Sequence, residues 1–445
     1  MEFITDYRLE DFILDTQWED LPPVVRERAV VCCIDLVGAL AIGSRSKQFE
    51  VGVKLAKRIF SSGQVKAVGS DDFYSFIGAS TVMGHASNAF DIDDGHNIIR
   101  AHPGTSFIGG LMAAAYERDV TYREFLTALV VSYEATIRIG RAIIDHYKYY
   151  HSSGTFGAFG TAVSVGRIYG LSKEQLNNAL SIAEFNAPIV PASRSVEYPS
   201  MNKDGVPFGV MIGALAILES LSGFTGNKHL LEMRENQHYN DNLGSEYEIL
   251  NLYFKPYACC RWAHPAIDAC LSVMSKHGVK AHEIERVVIK TFKAATRMSK
   301  VIPHKTDEAQ YNIAYPVASA IVHGDFGFEQ AIEENLNDLE VLNIMERLSF
   351  EADEEIDAKF PAQRFCRAEL FLKNGDKFVS ADCQPRGEAK EGIGIEWISD
   401  KFRRVTCSIL TPKAQTEFLA LMKGNVQRPM CELIDGFNRK LNWLR

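Results

Sequence analysis

Small residues recur through two long apolar segments of this 445-residue chain. Segment 154–170 reads GTFGAFGTAVSVGRIYG, and segment 205–221 has a similar mixture of glycine, alanine and aliphatic residues. The distance between two packed helices depends on the side chains at their contact, so small residues let helices approach closely. We therefore predict two central helices, each buried on several sides, that form the core on which a site can be built.

The pattern of apolar and polar residues in the N-terminal half of the chain is typical of a helical domain. Apolar spacing is mainly helical from 22 to about 226, with glycines as punctuation. Capping-box patterns predict two helix starts, at Thr121 with Glu124 and at Ser172 with Gln175. We find no internal repeat or low-complexity tract.

Near residue 265 the sequence pattern changes from helical spacing to a mixture of helix and strand signals. Helices are predicted over 265–276 and 311–323, and a strand over 285–293, where β-branched residues partly alternate with polar ones. An Asn-Gly pair between two apolar runs predicts a hairpin within 367–381. These elements indicate an α+β module.

Helical texture returns from Ile398 onward, so the mixed module is inserted into the helical part or capped by it. The predicted fold is mainly α. A large all-helical domain comprises residues 1–263 plus 396–445, and a smaller α+β lid domain comprises residues 264–395.

The composition of the chain indicates which classes of binding partner can be excluded. A net charge of −9 argues against nucleic acid or an anionic membrane surface. The longest apolar run, 206–218, is too short to span a bilayer, and the first residues do not form a signal peptide. Nine cysteines, including the adjacent pair Cys259 and Cys260, are typical of reduced thiols, with that pair expected to be buried packing. We expect a cytoplasmic protein.

Titratable groups are concentrated between residues 84 and 110. The acids and bases there are Asp91, Asp93, Asp94, His85, His96 and His102. Groups at this density shift one another's pKa values, which favours a chemical site. Alternatives stay open for several of them: the second and third acids could cap a turn, and His85 suits a core position. Asp and His at short spacing also suit a divalent metal and a hydrolase.

Other candidate groups lie at the starts of apolar helices or at the suspected domain boundary. They are His151, Lys203, Lys255, Arg261, His264 and Tyr315. A helix N-terminus carries partial positive charge and free N–H groups, which attract carboxylates. Together with the lysines and the arginine, such helix starts predict a pocket for a small polycarboxylate.

Four motifs in order carry a resemblance to a known family. They are HASNAFDIDD followed by AHPG, HSSGTFGAFGTA, NKDG before an apolar helix, and FKPYACCRWAHPAIDA. The chain resembles the MmgE/PrpD family, which includes 2-methylcitrate dehydratases, cis-aconitate decarboxylases and iminodisuccinate epimerases. The resemblance implies an active site between the helical and lid domains, a homodimer, and neither a metal nor an organic cofactor.

The resemblance also implies roles for individual residues. Its catalytic positions fall on Asp91, His102, His151, Lys203, Lys255 and Tyr315. Substrate contacts are expected from Asp94, Gly95, His96, Arg261 and His264. One departure is Gly95, where many members carry threonine. Another is the stretch from Asp94 to His102, which is one residue longer than in the decarboxylase branch.

The expected activity is removal of a proton beside a carboxylate of a small di- or tricarboxylate. A hydro-lyase acting on a 2-methylcitrate-like substrate is the first prediction, followed by an epimerase-like isomerase and then a decarboxylase. An imidazole can move such a proton near neutral pH, and cations stabilise the charge that develops. Outside this class, a metal-dependent hydrolase and an inactive binding protein remain alternatives.

Overall fold

The computed structural model describes residues 2–148, 151–424 and 426–441, and 57% of it is helical. The helices are α1 Arg8–Asp15, α2 Pro23–Gly43, α3 Lys47–Ile59, α4 Phe76–Ser87, α5 Thr105–Glu117, α6 Tyr122–His146, α7 Ser153–Tyr169, α8 Lys173–Phe185, α9 Ser193–Glu197, α10 Val206–Leu221, α11 His264–His277, α12 Thr306–Gln310, α13 Ala314–His323, α14 Phe328–Ala331, α15 Leu339–Met345, α16 Glu354–Asp357, α17 Ile395–Val405, α18 Pro412–Met422 and α19 Met430–Leu441. The strands are β1 Val65–Lys66, β2 Phe73–Tyr74, β3 Gly95–His96, β4 Leu252–Tyr253, β5 Ile284–Thr291, β6 Leu348–Ala352, β7 Cys366–Leu372 and β8 Lys377–Val379. The chain is mainly α with small sheets, as the sequence predicts.

Helix α7 is the centre of the helical part and packs against α5, α6, α8 and α10. Its small residues allow backbone contact with α10: a Cβ on Gly213 would lie 2.3 Å from the carbonyl oxygen of Ala158, and one on Gly209 would lie 2.5 Å from that of Gly154. Helix α10 is less enclosed than expected, because Phe208 and Leu215 remain 48% and 43% exposed.

The two predicted helix starts differ in detail. Ser172 and Gln175 form the reciprocal capping box at the start of α8, with N–H···O distances of 3.2 and 3.0 Å. At the start of α6 the Thr121 hydroxyl accepts from the backbone N–H of Glu124. The Glu124 carboxylate does not complete that box, because it accepts a 2.8 Å hydrogen bond from Arg167 instead.

The C-terminal half contains a four-stranded mixed sheet in the order β6-β5-β7-β8. Strand β5 is parallel to β6 and antiparallel to β7, and the predicted Asn-Gly turn joins the antiparallel pair β7 and β8. Helix α11 packs against β7. Strand β6 has no counterpart in the sequence-based predictions.

Helix α17 brings the end of the chain back onto the helical part by packing against α2. The buried ammonium of Lys401 donates to a carboxylate oxygen of Asp35 at 2.5 Å and to the carbonyl of Ile92 at 2.6 Å. This contact connects the C-terminal helices to segment 84–110, which contains Ile92. The domain boundaries near 264 and 395 stay predictions.

Among the described helices, none taken singly has both the length and the apolar composition needed to cross a bilayer. The pair α2 and α3 passes that test only when taken together, and it is bent by 83° at its break.

Candidate active site

A cavity of about 230 Å³ is lined by residues from both halves of the chain. Its titratable and polar lining residues include Asp91, Arg100, His102, Asp204, Tyr253, Arg261, Tyr311 and Arg364. Segment 84–110 and the loop 253–262 therefore meet at this cavity.

Asp91 lies in the turn that follows α4, with a positive φ of 50° that Asp tolerates better than most residues. The side chain of Lys203 holds the backbone of this turn in place. Its buried ammonium donates to the carbonyls of Asn88 at 2.9 Å and Ala89 at 2.5 Å, and to the side-chain oxygen of Gln310 at 2.6 Å. Lys203 thus holds the backbone that presents Asp91.

A buried ion pair joins Asp91 to Lys255, whose ammonium nitrogen lies 2.7 Å from Oδ1 of the carboxylate. The orientation of the two groups does not make an aligned hydrogen bond. The same carboxylate oxygen lies 3.4 Å from Nε2 of His102. One carboxylate is therefore within reach of both an ammonium and an imidazole.

The other ring nitrogen of His102 has two acceptors. Nδ1 lies 2.9 Å from Oδ2 of Asp93 and 2.9 Å from the carbonyl of Asp94, so Nδ1 carries a proton. Burial alone would lower the pKa of His102, but the Asp93 carboxylate outweighs it and raises this pKa to about 9. The ring is therefore charged at neutral pH and presents an Nε2 proton at the cavity.

Asp93 and Asp94 are buried under the cavity rather than in its lining. Asp93 accepts from Asn88 at 2.9 Å as well as from His102. Asp94 accepts from the backbone N–H of Gly104 at 3.1 Å and from the hydroxyl of Tyr133. Burial raises the pKa of Asp94 to about 7.

Three arginines, Arg100, Arg261 and Arg364, line the cavity and give it positive charge. Arg261 donates to Glu388 at 2.8 Å and to the carbonyl of Arg386, and Arg364 donates to Asn97 at 2.8 Å. Within the described chain, the buried Nε atoms of Arg261 and Arg364 have no hydrogen-bond partner. Buried donors of this kind favour an acceptor, and a carboxylate is a strong one.

The sequence-based reasoning missed two lining residues that act together. The hydroxyl of Tyr311 donates to Oδ2 of Asp204 at 2.9 Å. Burial raises the pKa of Asp204, and the nearby charge of His102 partly offsets that effect. The signal was present in the sequence, since Asp204 follows Lys203 directly and Tyr311 precedes Tyr315 by four residues.

Residues 7–240 match the MmgE/PrpD N-terminal domain, and residues 257–424 match the MmgE/PrpD C-terminal domain. The chain belongs to the MmgE/PrpD family. It is 21% identical over 438 residues to a cis-aconitate decarboxylase-like protein, oryM, of Aspergillus oryzae, with 90% of each chain covered. It is 22% identical to a cis-aconitate decarboxylase of Aspergillus terreus, with 91% of this chain and 90% of the relative covered.

Gly95 lies in β3 opposite Tyr253 of β4. The ring of Tyr253 occupies the space beside the glycine and lines the cavity. The next residue, His96, is turned away: its Nε2 lies 3.3 Å from a carboxylate oxygen of Glu248. Gly95 therefore affects the shape of the cavity by leaving space for the Tyr253 ring, whereas His96 has no contact with the cavity lining in the described structure.

Eight residues with predicted roles lie outside the cavity lining of the described structure: Asp94, Gly95, His96, Lys203 and Lys255, whose contacts are given above, and His151, His264 and Tyr315. Nε2 of His151 donates to the carbonyl oxygen of Tyr147 at 3.2 Å. His264 begins α11 and contacts the carbonyl of Cys259 at 3.0 Å. Tyr315 is buried in α13, where its hydroxyl donates to the carbonyl of Asn335. Their direct roles in the reaction stay predictions from the resemblance.

The two cysteines at this site behave as packing groups. Cys259 is fully buried, and Cys260 reaches the cavity lining. Burial raises the pKa of Cys260 to about 12, so it remains a neutral thiol near neutral pH.

One group of ligand atoms has the geometry for a metal. Atoms of Asp91, His102 and Asp204 lie within 4.8 Å of one another. Two carboxylates and an imidazole suit several divalent ions. The ammonium of Lys255 already supplies positive charge at Asp91, so an ion at this position would have to compete with it.

Proposed function

We propose that this chain is a cofactor-independent enzyme that removes a proton beside a carboxylate of a small di- or tricarboxylate. The observation that carries the proposal is the charged imidazole of His102, held by Asp93 on one side and facing Asp91 on the other. A fixed acid and a fixed carboxylate in one arginine-lined cavity meet the requirements of general acid–base catalysis.

Substrate binding is assigned to the guanidinium groups of Arg100, Arg261 and Arg364. Their fork of N–H donors matches a carboxylate in geometry and charge. Proton removal next to a carboxylate places additional negative charge on its oxygens. Preorganised cations at those oxygens stabilise that charge as it develops.

In the proposed elimination, Asp91 takes the proton from the substrate carbon and a carbon–carbon double bond forms. The carbon–oxygen bond of the substrate hydroxyl breaks while Nε2 of His102 donates its proton, and water leaves. The separation of 3.4 Å between Asp91 and His102 then lets the proton return to the imidazole. Dehydration of a 2-methylcitrate-like hydroxy acid is our first candidate reaction.

A second candidate is decarboxylation, which the names of the curated relatives favour. In that reaction the bond to a carboxylate carbon breaks, carbon dioxide leaves, and the proton of His102 goes to the remaining carbon. The same acid serves both reactions. An epimerase-like exchange of a single proton is the third candidate.

A panel assay distinguishes these reactions. Citrate, 2-methylcitrate, cis-aconitate and iminodisuccinate are each incubated with the protein in deuterated water and followed by proton NMR. Loss of water, loss of carbon dioxide and simple hydrogen exchange give different spectra. The proposal expects one of these changes on at least one acid, with no added metal and in the presence of EDTA. Activity that EDTA abolishes would favour the metal-dependent alternative.

We also propose that the enzyme works as a homodimer. The outer face of α10 exposes Phe208 and Leu215, seven residues apart and therefore on one side of the helix. Ile212 lies between them and is half-buried. Exposed apolar stripes of this kind are typical of protein–protein contacts, and a second copy of the same helix would cover this one.

A further inference from the structure

The backbone at Gly95 is in direct contact with the ring of Tyr253. A Cβ atom built on Gly95 would lie 2.2 Å from Cζ, 2.3 Å from Oη and 2.6 Å from Cε2 of that ring. Atoms that are not bonded do not approach this closely, so no side chain fits at position 95 while Tyr253 keeps its place. Residues 95 and 253 are neighbours across the β3–β4 ladder, which fixes their separation.

The contact also locates a hydroxyl group. The phenol oxygen of Tyr253 lies 2.3 Å from the Cβ position built on Gly95. The tyrosine hydroxyl of this chain therefore occupies the region in which a side chain at position 95 would lie, but it arrives from the opposite strand.

The surroundings of Tyr253 suit a hydrogen bond to an anion. The ring is 4% exposed and lines the cavity, and the guanidinium of Arg261 lies 4.4 Å from its centroid. Burial raises the pKa of Tyr253, so the phenol keeps its proton and can donate. Arg261 also has a buried Nε–H without a partner among the described residues. Since Arg261 also lines the cavity, a carboxylate there would lie beside both the phenol and a guanidinium.

We propose that Tyr253 is a specificity-determining residue whose hydroxyl, placed in the space that a side chain at position 95 would otherwise fill, donates to a carboxylate of the bound di- or tricarboxylate. This inference rests on the proposed function, because it requires the cavity to bind carboxylates. It makes Gly95 and Tyr253 one functional unit. The absence of a side chain at Gly95 provides space beside β3. The ring and hydroxyl of Tyr253 occupy that space and determine which acids fit in the cavity.

Isothermal titration calorimetry with tricarballylate, an inert tricarboxylate, tests the proposal directly. Tyr253→Phe keeps the ring and removes only the hydroxyl. We expect it to weaken tricarballylate binding about 10-fold, as for loss of a hydrogen bond to a charged group. Tyr169→Phe is the matched control, because the hydroxyl of Tyr169 donates to Glu117 and does not line the cavity of the described structure. It should bind like the wild type.

The outcomes separate the two claims. If the wild type binds tricarballylate and Tyr253→Phe binds it equally well, the role of Tyr253 is overturned while carboxylate binding stands. If the wild type itself binds neither tricarballylate nor citrate, the proposed function fails and this inference fails with it.

A swap of the two positions gives an independent readout. Gly95→Thr alone should lower the melting temperature, because its Cβ clashes with the ring. The double variant Gly95→Thr with Tyr253→Ala should recover the melting temperature and change the order of affinities among citrate, tricarballylate and glutarate. A double variant that folds and keeps the wild-type order would contradict the proposal.

Discussion

Nδ1 of His102 donates to the buried carboxylate of Asp93 at 2.9 Å, while Nε2 on the opposite side of the ring reaches the cavity. The carboxylate stabilises the charged imidazole and also fixes which nitrogen faces the cavity. Asp93 therefore acts through His102 as a positioning residue, without lining the cavity of the described structure itself.

The first prediction concerns the pH dependence of turnover. A general acid is active only while protonated, so the kcat/KM profile should fall as pH rises through the pKa of about 9 at His102. Asp93→Asn removes the charge that raises this pKa, while its side-chain oxygen can still accept from Nδ1. We expect the basic limb to move to lower pH. A limb that stays in place would show that another group titrates.

Lys203 provides a second prediction, about stability. Its three hydrogen bonds fix the turn before Asp91, and its ammonium is buried. Lys203→Met should lower the free energy of unfolding by about 3 kcal/mol, measured by urea denaturation. Lys413→Met, at a side chain that is 87% exposed, is the control and should change stability by less than about 0.5 kcal/mol. Full stability with lost activity would instead favour direct substrate contact by Lys203.

The pair Lys401 and Asp35 predicts a pH-dependent effect. Burial raises the pKa of Asp35 to about 6 even though Lys401 opposes it. Lys401→Met leaves that carboxylate without its cation, which should cost about 3–5 kcal/mol at pH 8. Because a carboxyl with a raised pKa takes up a proton readily, the loss should shrink at pH 5.5. Urea denaturation at both values measures it, and an equal loss at both would contradict this explanation.

The dimer proposal makes a fourth prediction. Leu215→Glu places a charge in the exposed stripe of α10, which should convert a dimer into a monomer without unfolding it. Size-exclusion chromatography with light scattering measures the mass, and circular dichroism checks the fold. Phe73→Glu is a control, because Phe73 is 54% exposed on the separate strand β2. A wild type that is monomeric at micromolar concentration would contradict the proposal.

Local signals in the sequence predicted much of the fold. The Ser172 capping box, the small-residue helix α7 and the Asn-Gly hairpin depend on residues that are near in sequence, and the structure contains all three. Strand β6 escaped prediction because its partner β5 lies some sixty residues earlier and pairs with it in parallel. Pairing between such distant segments produces no recognisable signal in the local sequence pattern.

The site was predicted only as far as its motifs reach. The structure places Asp91, His102, Lys255 and Arg261 at or beside one cavity, and their roles stay predictions. Tyr253 and Arg364 were missed because only tertiary contacts carry them to the cavity. Their position in the cavity depends on the β3–β4 pairing and on the loop that precedes β7, which are long-range features.

The central claim is that the charged imidazole of His102 performs the proton transfer. The most direct measurement is kcat/KM of His102→Gln, by the NMR assay, on whichever acid the wild type turns over. We expect a loss of at least about 100-fold. His85→Gln, at a half-buried histidine in α4 that does not line the cavity of the described chain, should stay within about threefold of the wild type. A His102→Gln enzyme with near wild-type kcat/KM and an unchanged melting temperature would contradict the account.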